Sequence, residues 1–389
     1  MPSPQLNQID GLVNEIFKQS SAINGIAQID AKNFVSSVQA ALLFGYDFIT
    51  NSISQVLSRT IFAIRPYREK MQGLDVTTEE WGNHFRKISA LEKNEFQQNP
   101  QYQLVDGQSV DQQKVILPSY WQGNFYNEQT YMKQVTVPTK QFREALKNYG
   151  EFQQLIDMII TQSVNQISMV REGLKRETLV NAMASIIQLG GDNVIHLLTE
   201  YNAATGKSYT QQDMMNPDVY RAFMQWAFAR IQNVSDFLTD NSILYHTNPE
   251  AGYIMRHTPK EFQRGFMLAQ YQAEIDGIAK AQTFHENYMQ QKWTEVVNFW
   301  QSPTARDEIN IIPQYMLPSG TLADSTTAVQ QANVFGAFLD KDMCGVNICD
   351  EWQANSPFNA AAGYYNIFWH FTGRYYNDNT ENGVVFLLD

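Results

Sequence analysis

The chain has 389 residues, of which 43% are hydrophobic and 13% aromatic, so it can bury a large core and is not intrinsically disordered. Charged residues make up only 17%, below the usual quarter, and the net charge is −12. An acidic chain without a strongly basic patch is not expected to read DNA by its sequence. A surface rich in uncharged Gln and Asn instead favours extensive contact with other proteins.

The first 75 residues predict an arm with short helices. The opening MPSPQLNQID has neither the basic region nor the apolar core of a signal peptide. A helix predicted from Ile53 to Ile61 has to end before Pro66, because the residue before a proline is pushed out of the helical region. We interpret the basic stretch at this point as contacts between subunits, in preference to nucleic-acid contacts, and its candidate residues are Arg59, Arg65, Tyr67 and Arg68.

Residues 76–138 predict an extended β-hairpin. HFRKISALEKNEF alternates like a strand, residues 97–113 are polar and rich in glutamine, and a second extended run goes from Lys114 to Val137. An isolated two-stranded ribbon is marginal in water, so the hairpin has to lean on something, and a neighbouring subunit would serve. The candidate assembly contacts here are Tyr102, Gln103, Tyr120, Trp121 and Tyr126.

The next segment holds the clearest helical pattern of the chain. Apolar residues recur at three- and four-residue steps, and Gly190-Gly191 is a natural stop, so a long helix is predicted over 140–190. The apolar positions are Phe152, Leu155, Ile156, Ile159, Ile167, Val170 and Leu174.

The rest of the chain mixes both kinds of element. Helix-like stretches run from Val219 to Leu238 and from Lys260 to Ala281, and SILYHT near Ser242 is strand-like. Residues 311–389 predict mostly strands and turns, including the aromatic strand GYYNIFWHFTGRYY and a two-residue hairpin turn at Asn382-Gly383. The sequence therefore predicts an α+β fold.

No catalytic, cofactor-binding or metal-binding site is predicted. The six histidines lack metal-ligand spacing, and the motifs of the common nucleophile elbow, phosphate-binding loop and dinucleotide-binding loop do not occur. Cys344 and Cys349 are interpreted as buried thiols, with a disulfide between them left open.

Two clusters keep an alternative function open. Asp340, Asp342, Asp350 and Glu351 are read as turn and strand-end residues, although a carboxylate pair could cleave glycosides. The aromatic residues near the C-terminus are interpreted as core and cross-strand pairs, although they could form a sugar-binding platform. These aromatic residues are Tyr364, Tyr365, Trp369, Tyr375 and Tyr376.

Three segments together resemble the major capsid proteins of tailed bacteriophages, the family with the Hong Kong 97-like fold, and most of all those of short-tailed phages. They are SRTIFAIRPYREKM, the stretch from KQFREALKNYGEF to LVNAM, and FGAFLDKDMCGVNIC with the aromatic strand after it. The resemblance implies five parts in chain order. They are an N-terminal arm (1–75), an extended loop (76–138), a peripheral domain with the spine helix (139–201), an axial domain (202–345) and C-terminal strands returning to the peripheral domain (346–389).

The resemblance also implies a function. The chain would self-assemble, as hexamers and pentamers, into the icosahedral shell that encloses double-stranded DNA. It would need no cofactor and no membrane, would meet DNA only non-specifically on the shell interior, and would assemble in the cytoplasm of the host bacterium into the virion capsid. A separate scaffolding protein and a portal are expected as partners, decoration proteins are left open, and no Lys–Asn crosslink is expected. A glycan-binding or glycan-cleaving protein, or another virion component such as a portal, remains the alternative.

Overall fold

The protein is described by a computed structural model. Its placement is described for residues 69–76, 85–92, 98–99, 102–103, 105–110, 113, 115–138, 149–248, 253–274 and 295–389. The chain divides into two compact units. Unit 1 includes Gln129–Leu174 and Ile348–Gly373, and unit 2 consists of Met71–Glu128, Lys175–Asn347 and Arg374–Asp389.

The longest element is helix α1 (Tyr149–Leu189), with 41 residues and therefore a length of about 60 Å. It ends where the sequence predicts, because Gly190 and Gly191 have φ angles of 65° and 74°, which glycine adopts without steric cost. The amide of Gly190 still donates to the carbonyl of Ile186 at 2.9 Å. The first residues of the predicted helix, 140–148, lie outside the described part.

Helices α2 (Leu197–Thr205) and α3 (Pro217–Phe237) belong to unit 2. Helix α3 confirms the helix predicted from Val219 to Leu238. Its start is set by Asn216, whose side chain accepts a hydrogen bond from the amide of Asp218 at 3.1 Å, and by a proline in the first turn. Short 3₁₀ turns occupy Gln72–Leu74, Gly191–Asn193 and Asp213–Met215.

The strands of the described residues are numbered in chain order. They are β1 (Phe85–Leu91), β2 (Ser119–Phe125), β3 (Glu128–Pro138), β4 (Val194–His196), β5 (Gln263–Leu268), β6 (Glu295–Val297), β7 (Ile309–Ile311), β8 (Gln314–Met316), β9 (Leu322–Asp324), β10 (Val329–Gln331), β11 (Val334–Asp340), β12 (Cys344–Asn355), β13 (Tyr364–Asn377) and β14 (Gly383–Leu387). Mixed helix and strand content confirms the predicted α+β class.

Unit 1 is built on a three-stranded sheet in the order β12-β13-β3. Along β13 every second side chain is buried, from Tyr365 and Ile367 to Trp369 and Phe371, which confirms that this aromatic strand is core. Helix α1 lies close against it, because a Cβ atom added at Gly373 would come within 2.4 Å of the Leu174 side chain. A buried Trp369 is not available as a sugar-binding platform.

Unit 2 is built on a five-stranded sheet in the order β4-β14-β11-β5-β6. Strand β11 pairs antiparallel with both β14 and β5, whereas β4 and β6 pair parallel at the edges. Every residue of β11 and β14 is buried, so both faces of the sheet centre are covered. The main hydrophobic core of unit 2 surrounds this centre and includes the inner faces of α2 and α3.

The structure corrects three local predictions. The helix predicted from Lys260 to Ala281 is only partly correct. Residues 269–274 are helical, but Gln263–Leu268 is strand β5. Phe266, Met267 and Leu268 are all buried beside β11, and a continuous apolar run suits a strand with both faces covered. SILYHT forms a turn with an isolated bridge at Ser242 instead of a strand.

The third correction concerns Asn382-Gly383, which does not form a two-residue hairpin turn. Strand β14 pairs with β11 and β4 instead of the preceding strand, and the connection is five buried residues, 378–382. Gly383 is needed for close packing, since a Cβ atom there would lie 2.5 Å from the sulfur of Met343.

Candidate assembly surface

Strands β1 and β2 pair antiparallel and form a hairpin as predicted, with Phe85 opposite Phe125 and Leu91 opposite Ser119. The predicted second arm, Lys114 to Val137, is only partly correct, because β3 leaves the hairpin and pairs with β13. Side chains alternate between the two faces of the ribbon. We call these two strands the base of the hairpin, and the described residues between 98 and 118 its tip. The inward face of the base carries Phe85, Lys87, Ser89, Trp121, Gly123 and Phe125, and the outward face carries Arg86, Ile88, Ala90 and Tyr120.

The inward face of the base is attached to the rest of unit 2 by apolar contacts. Trp121 is only 5% exposed, and its indole N–H donates to the carbonyl of Pro318 at 2.8 Å. The rings of Phe85 and Phe125 lie 5.0 and 5.5 Å from the ring of Tyr376. The ribbon therefore obtains its support from the chain itself, at its base.

A set of four charges, which we call the charge cluster, adds polar contacts to the same face. Its carboxylates, Asp378 and Glu381, are buried, and Lys87 and Arg256 are partly buried. Lys87 Nζ lies 2.8 Å from Asp378 Oδ2 and forms a second ion pair with Glu381. Arg256 lies 3.1 Å from Glu381 and donates to the hydroxyl of Ser89 at 2.9 Å. Burial acts to lower the pKa of Lys87, but the two carboxylates outweigh it and hold that pKa above its ordinary value. Lys87 therefore stays charged.

The tip differs from the base because its apolar side chains are exposed. Val115 is 78%, Ile116 57% and Leu117 74% exposed, and the triplet directly precedes Pro118. Its neighbours in the tip, Tyr102 and Val105, are exposed as well. Contiguous exposed apolar side chains of this kind mark surfaces that another molecule covers.

The predicted contact residues divide among three environments. Tyr102, Gln103, Tyr120 and Tyr126 are exposed, so they are available to a neighbouring molecule. Trp121 is buried against the chain's own residues and holds the base. The four residues predicted in the arm lie outside the described residues, namely Arg59, Arg65, Tyr67 and Arg68.

Sequence reasoning missed the apolar triplet and the charge cluster. The triplet had a local signal, since Val115, Ile116 and Leu117 interrupt a polar stretch just before a proline. The cluster had none, because Lys87 and Glu381 are distant in sequence and are brought together only by the fold.

The side chains that were candidates for catalysis or metal binding have structural roles. Asp340 accepts from the Thr258 hydroxyl at 2.6 Å and from the amide of Asp342 at 2.8 Å, which is the turn role predicted for it. Both ring nitrogens of His246 face backbone carbonyl oxygens, at 2.8 and 2.6 Å. Within the described residues, no group of three or more His, Cys, Asp and Glu side chains is arranged to hold a metal ion.

The two cysteines are free thiols. Cys344 is buried, and burial raises the pKa of its thiol to about 12. Cys349 is half-buried and points its sulfur at the carbonyl of Thr372. None of the helices that the structure describes is long and apolar enough to cross a membrane.

Comparison with known proteins places these features in a family. The sequence model of the family described as Phi29-like phage major capsid protein matches residues 48–387. No curated protein matches the chain.

Solved structures show the same fold at low identity. A structure described as the head fiber and inner core protein gp22 of native bacteriophage P68 is 12% identical, with a TM-score of 0.55 over 82% of this chain and 85% of that one. The capsid structure of Staphylococcus phage Andhra is 7% identical, with a TM-score of 0.51 over 82% of this chain and 84% of that one.

Proposed function

Because the chain belongs to the family of Phi29-like phage major capsid proteins, we propose that its hairpin tip contacts a neighbouring copy when the capsid shell forms. The chain is a structural protein of the virion, and it builds the shell together with other copies of itself. The observation that carries the proposal is the exposed triplet Val115 to Leu117, held on a base that is fixed to unit 2.

The physical reason is the cost of leaving this triplet in water. Burial of apolar surface contributes about 25 cal/mol per Å² to stability. Three large side chains that are mostly exposed can obtain most of this free energy only in a contact with another molecule. Each contact is modest, but a closed symmetric shell repeats it for every copy. Tyr102 and Tyr120, which are also exposed, are proposed to enlarge the same contact.

The remaining parts of the proposal concern the assembly as a whole. The copies are arranged as hexamers and pentamers of an icosahedral shell, and the basic residues of the arm contact neighbouring subunits. A separate scaffolding protein and a portal act as partners during assembly in the host cytoplasm. DNA meets the shell interior without sequence-specific contacts, in keeping with the net charge of −12.

Electron microscopy of the expressed protein, alone or with its scaffold, tests the contact. Replacement Ile116→Ser is expected to reduce the yield of closed shells strongly. Its matched control is Ile312→Ser, because Ile312 is also 57% exposed but lies outside the hairpin, and this variant is expected to assemble normally. Equal shell yields from both variants, or a wild-type protein that is monomeric under all conditions, would contradict the proposal.

A further inference from the structure

The charge cluster joins strand β1 to a segment that is itself rigidly held. Residues 378–382 are buried throughout, and their backbone is bonded to the rest of unit 2. The amide of Asp378 donates to the carbonyl of Met343 at 2.7 Å, and the amide of Asp340 donates to the carbonyl of Asn382 at 2.8 Å. The segment is therefore a fixed reference within unit 2, and the base of the hairpin is tied to it.

The two carboxylates of the cluster are themselves oriented. Asp378 Oδ1 accepts from the amide and the hydroxyl of Thr380 at 2.9 and 2.7 Å, and Oδ2 lies 2.8 Å from Lys87 Nζ. Arg256 donates to the carbonyl of Thr380 at 3.0 Å as well as contacting Glu381. Asp378 and Arg256 are thus each held by hydrogen bonds outside the ion pairs of the cluster.

Charges in this position affect geometry more than stability. Desolvation offsets most of the attraction in a buried ion pair, and apolar replacements of similar volume are often as stable. Hydrophobic attraction is non-directional, so the apolar contacts restrain a tilt of the ribbon less sharply than an ion pair at a defined distance does. With the cluster present, a tilt would separate Lys87 from Asp378, whose buried Oδ2 has no other partner among the described residues, and an unpaired buried charge is strongly unfavourable.

We propose that the charge cluster fixes the direction in which the hairpin extends from the rest of unit 2, and that this direction selects the shell into which the copies close. Lys87 and Arg256 act as positioning residues, because they set the place of the tip without touching the neighbouring copy. The inference rests on the proposed assembly role of the tip. A small change in the direction of the base is repeated in every copy. Closure of a symmetric assembly depends on the angle between neighbouring copies, which this direction sets.

The double variant Lys87→Met/Asp378→Asn tests the inference. It removes both ion pairs of Lys87, with Asp378 and with Glu381. It leaves Arg256 paired with Glu381 and keeps an oxygen that can accept from Thr380. The variant is expected to fold and associate, but to give particles of mixed diameter, tubes and open sheets in place of one shell size. The single variant Lys87→Arg keeps the positive charge beside Asp378, and it is expected to give shells of one diameter.

A matched control makes the same chemical change elsewhere in unit 2. Lys260 and Asp236 form an exposed ion pair, and Lys260→Met/Asp236→Asn is expected to leave the shell diameter unchanged. Shells of one wild-type diameter from Lys87→Met/Asp378→Asn would overturn the inference. That result leaves the tip contact standing, whereas normal assembly of Ile116→Ser overturns the tip contact, so the two failures are distinguishable.

Cryo-electron microscopy of the wild-type shell tests the inference without any variant. When unit 2 is superimposed for all positions in the shell, β1, β2 and residues 378–382 are expected to coincide. Differences between positions are expected only in the tip. A base that rotates relative to residues 378–382 between positions would overturn the inference, even if the double variant fails to fold.

Discussion

The base and the tip of the hairpin are adjacent in sequence but differ in what stabilises them. The base has an inward face covered by Tyr376, Pro318 and the charge cluster, so its conformation is determined within one chain. The tip exposes Val115 to Leu117 and contains no strand among its described residues. A shell protein needs both, because a contact with a neighbour is specific only if it is presented from a fixed support.

Separate substitutions of Trp121 and Tyr120 give the largest expected effect and test whether the support of the base comes from its inward face alone, since the two neighbours point to opposite faces of β2. Trp121→Ala removes a buried indole and its hydrogen bond to Pro318, and it is expected to lower the free energy of unfolding by about 3–5 kcal/mol. Tyr120→Ala is expected to change that free energy little and to weaken assembly. Denaturant unfolding of the unassembled protein measures the first effect, and similar losses in both variants would show that the base and its outer face are not distinct.

Two glycines with nearly equal φ angles provide a second test. Gly320 (φ +81°) faces the base, and an added Cβ atom would lie 2.1 Å from the carbonyl oxygen of Gln122, whereas Gly107 (φ +82°) lies in the tip with nothing within 4 Å. Gly107→Ala should cost about 1 kcal/mol for its backbone conformation alone. Gly320→Ala adds a backbone clash and should cost several times more. Equal shifts of the thermal midpoint would mean that Gly320 does not press against the base.

The smallest expected effect is the response of the base to alkaline pH. The folded-state pKa of Lys87 lies above its value in the unfolded chain, so its contribution to stability is fully present below about pH 10.5 and is lost as the pH rises through the folded-state pKa. The stability of the wild type should therefore decline more steeply above pH 10.5 than that of Lys87→Met/Asp378→Asn. Parallel thermal unfolding series measure this difference, and identical pH profiles would show that Lys87 is not paired in solution.

Local patterns predicted the parts of the fold that depend on neighbours in sequence. The end of α1 at Gly190, helix α3 and the alternating strand β13 follow from periodicity and helix-stop residues, and all three are present. The pairing of β1 with β2 was predicted for the same reason. The division of the chain into five parts remains a prediction, as does the contact role of the arm.

The parts that the sequence could not predict depend on distant residues. Strand β5 carries an apolar run that fits a helix equally well, and only its place beside β11 decides the outcome. Likewise, residues 378–382 look like an exposed turn of Asn, Asp and Thr, yet they are buried because Lys87 and Arg256 supply partners from far away in the chain. Polar composition alone does not reveal such partners.

Hydrogen–deuterium exchange, measured on the unassembled protein and on closed shells, tests the central claim most directly. The base, residues 85–91 and 119–125, is expected to be protected in both states because its fold is complete within one chain. The tip is expected to exchange rapidly in the unassembled protein and to become protected only in shells. A tip that exchanges equally fast in both states, or a base as unprotected as the tip before assembly, would contradict the claim.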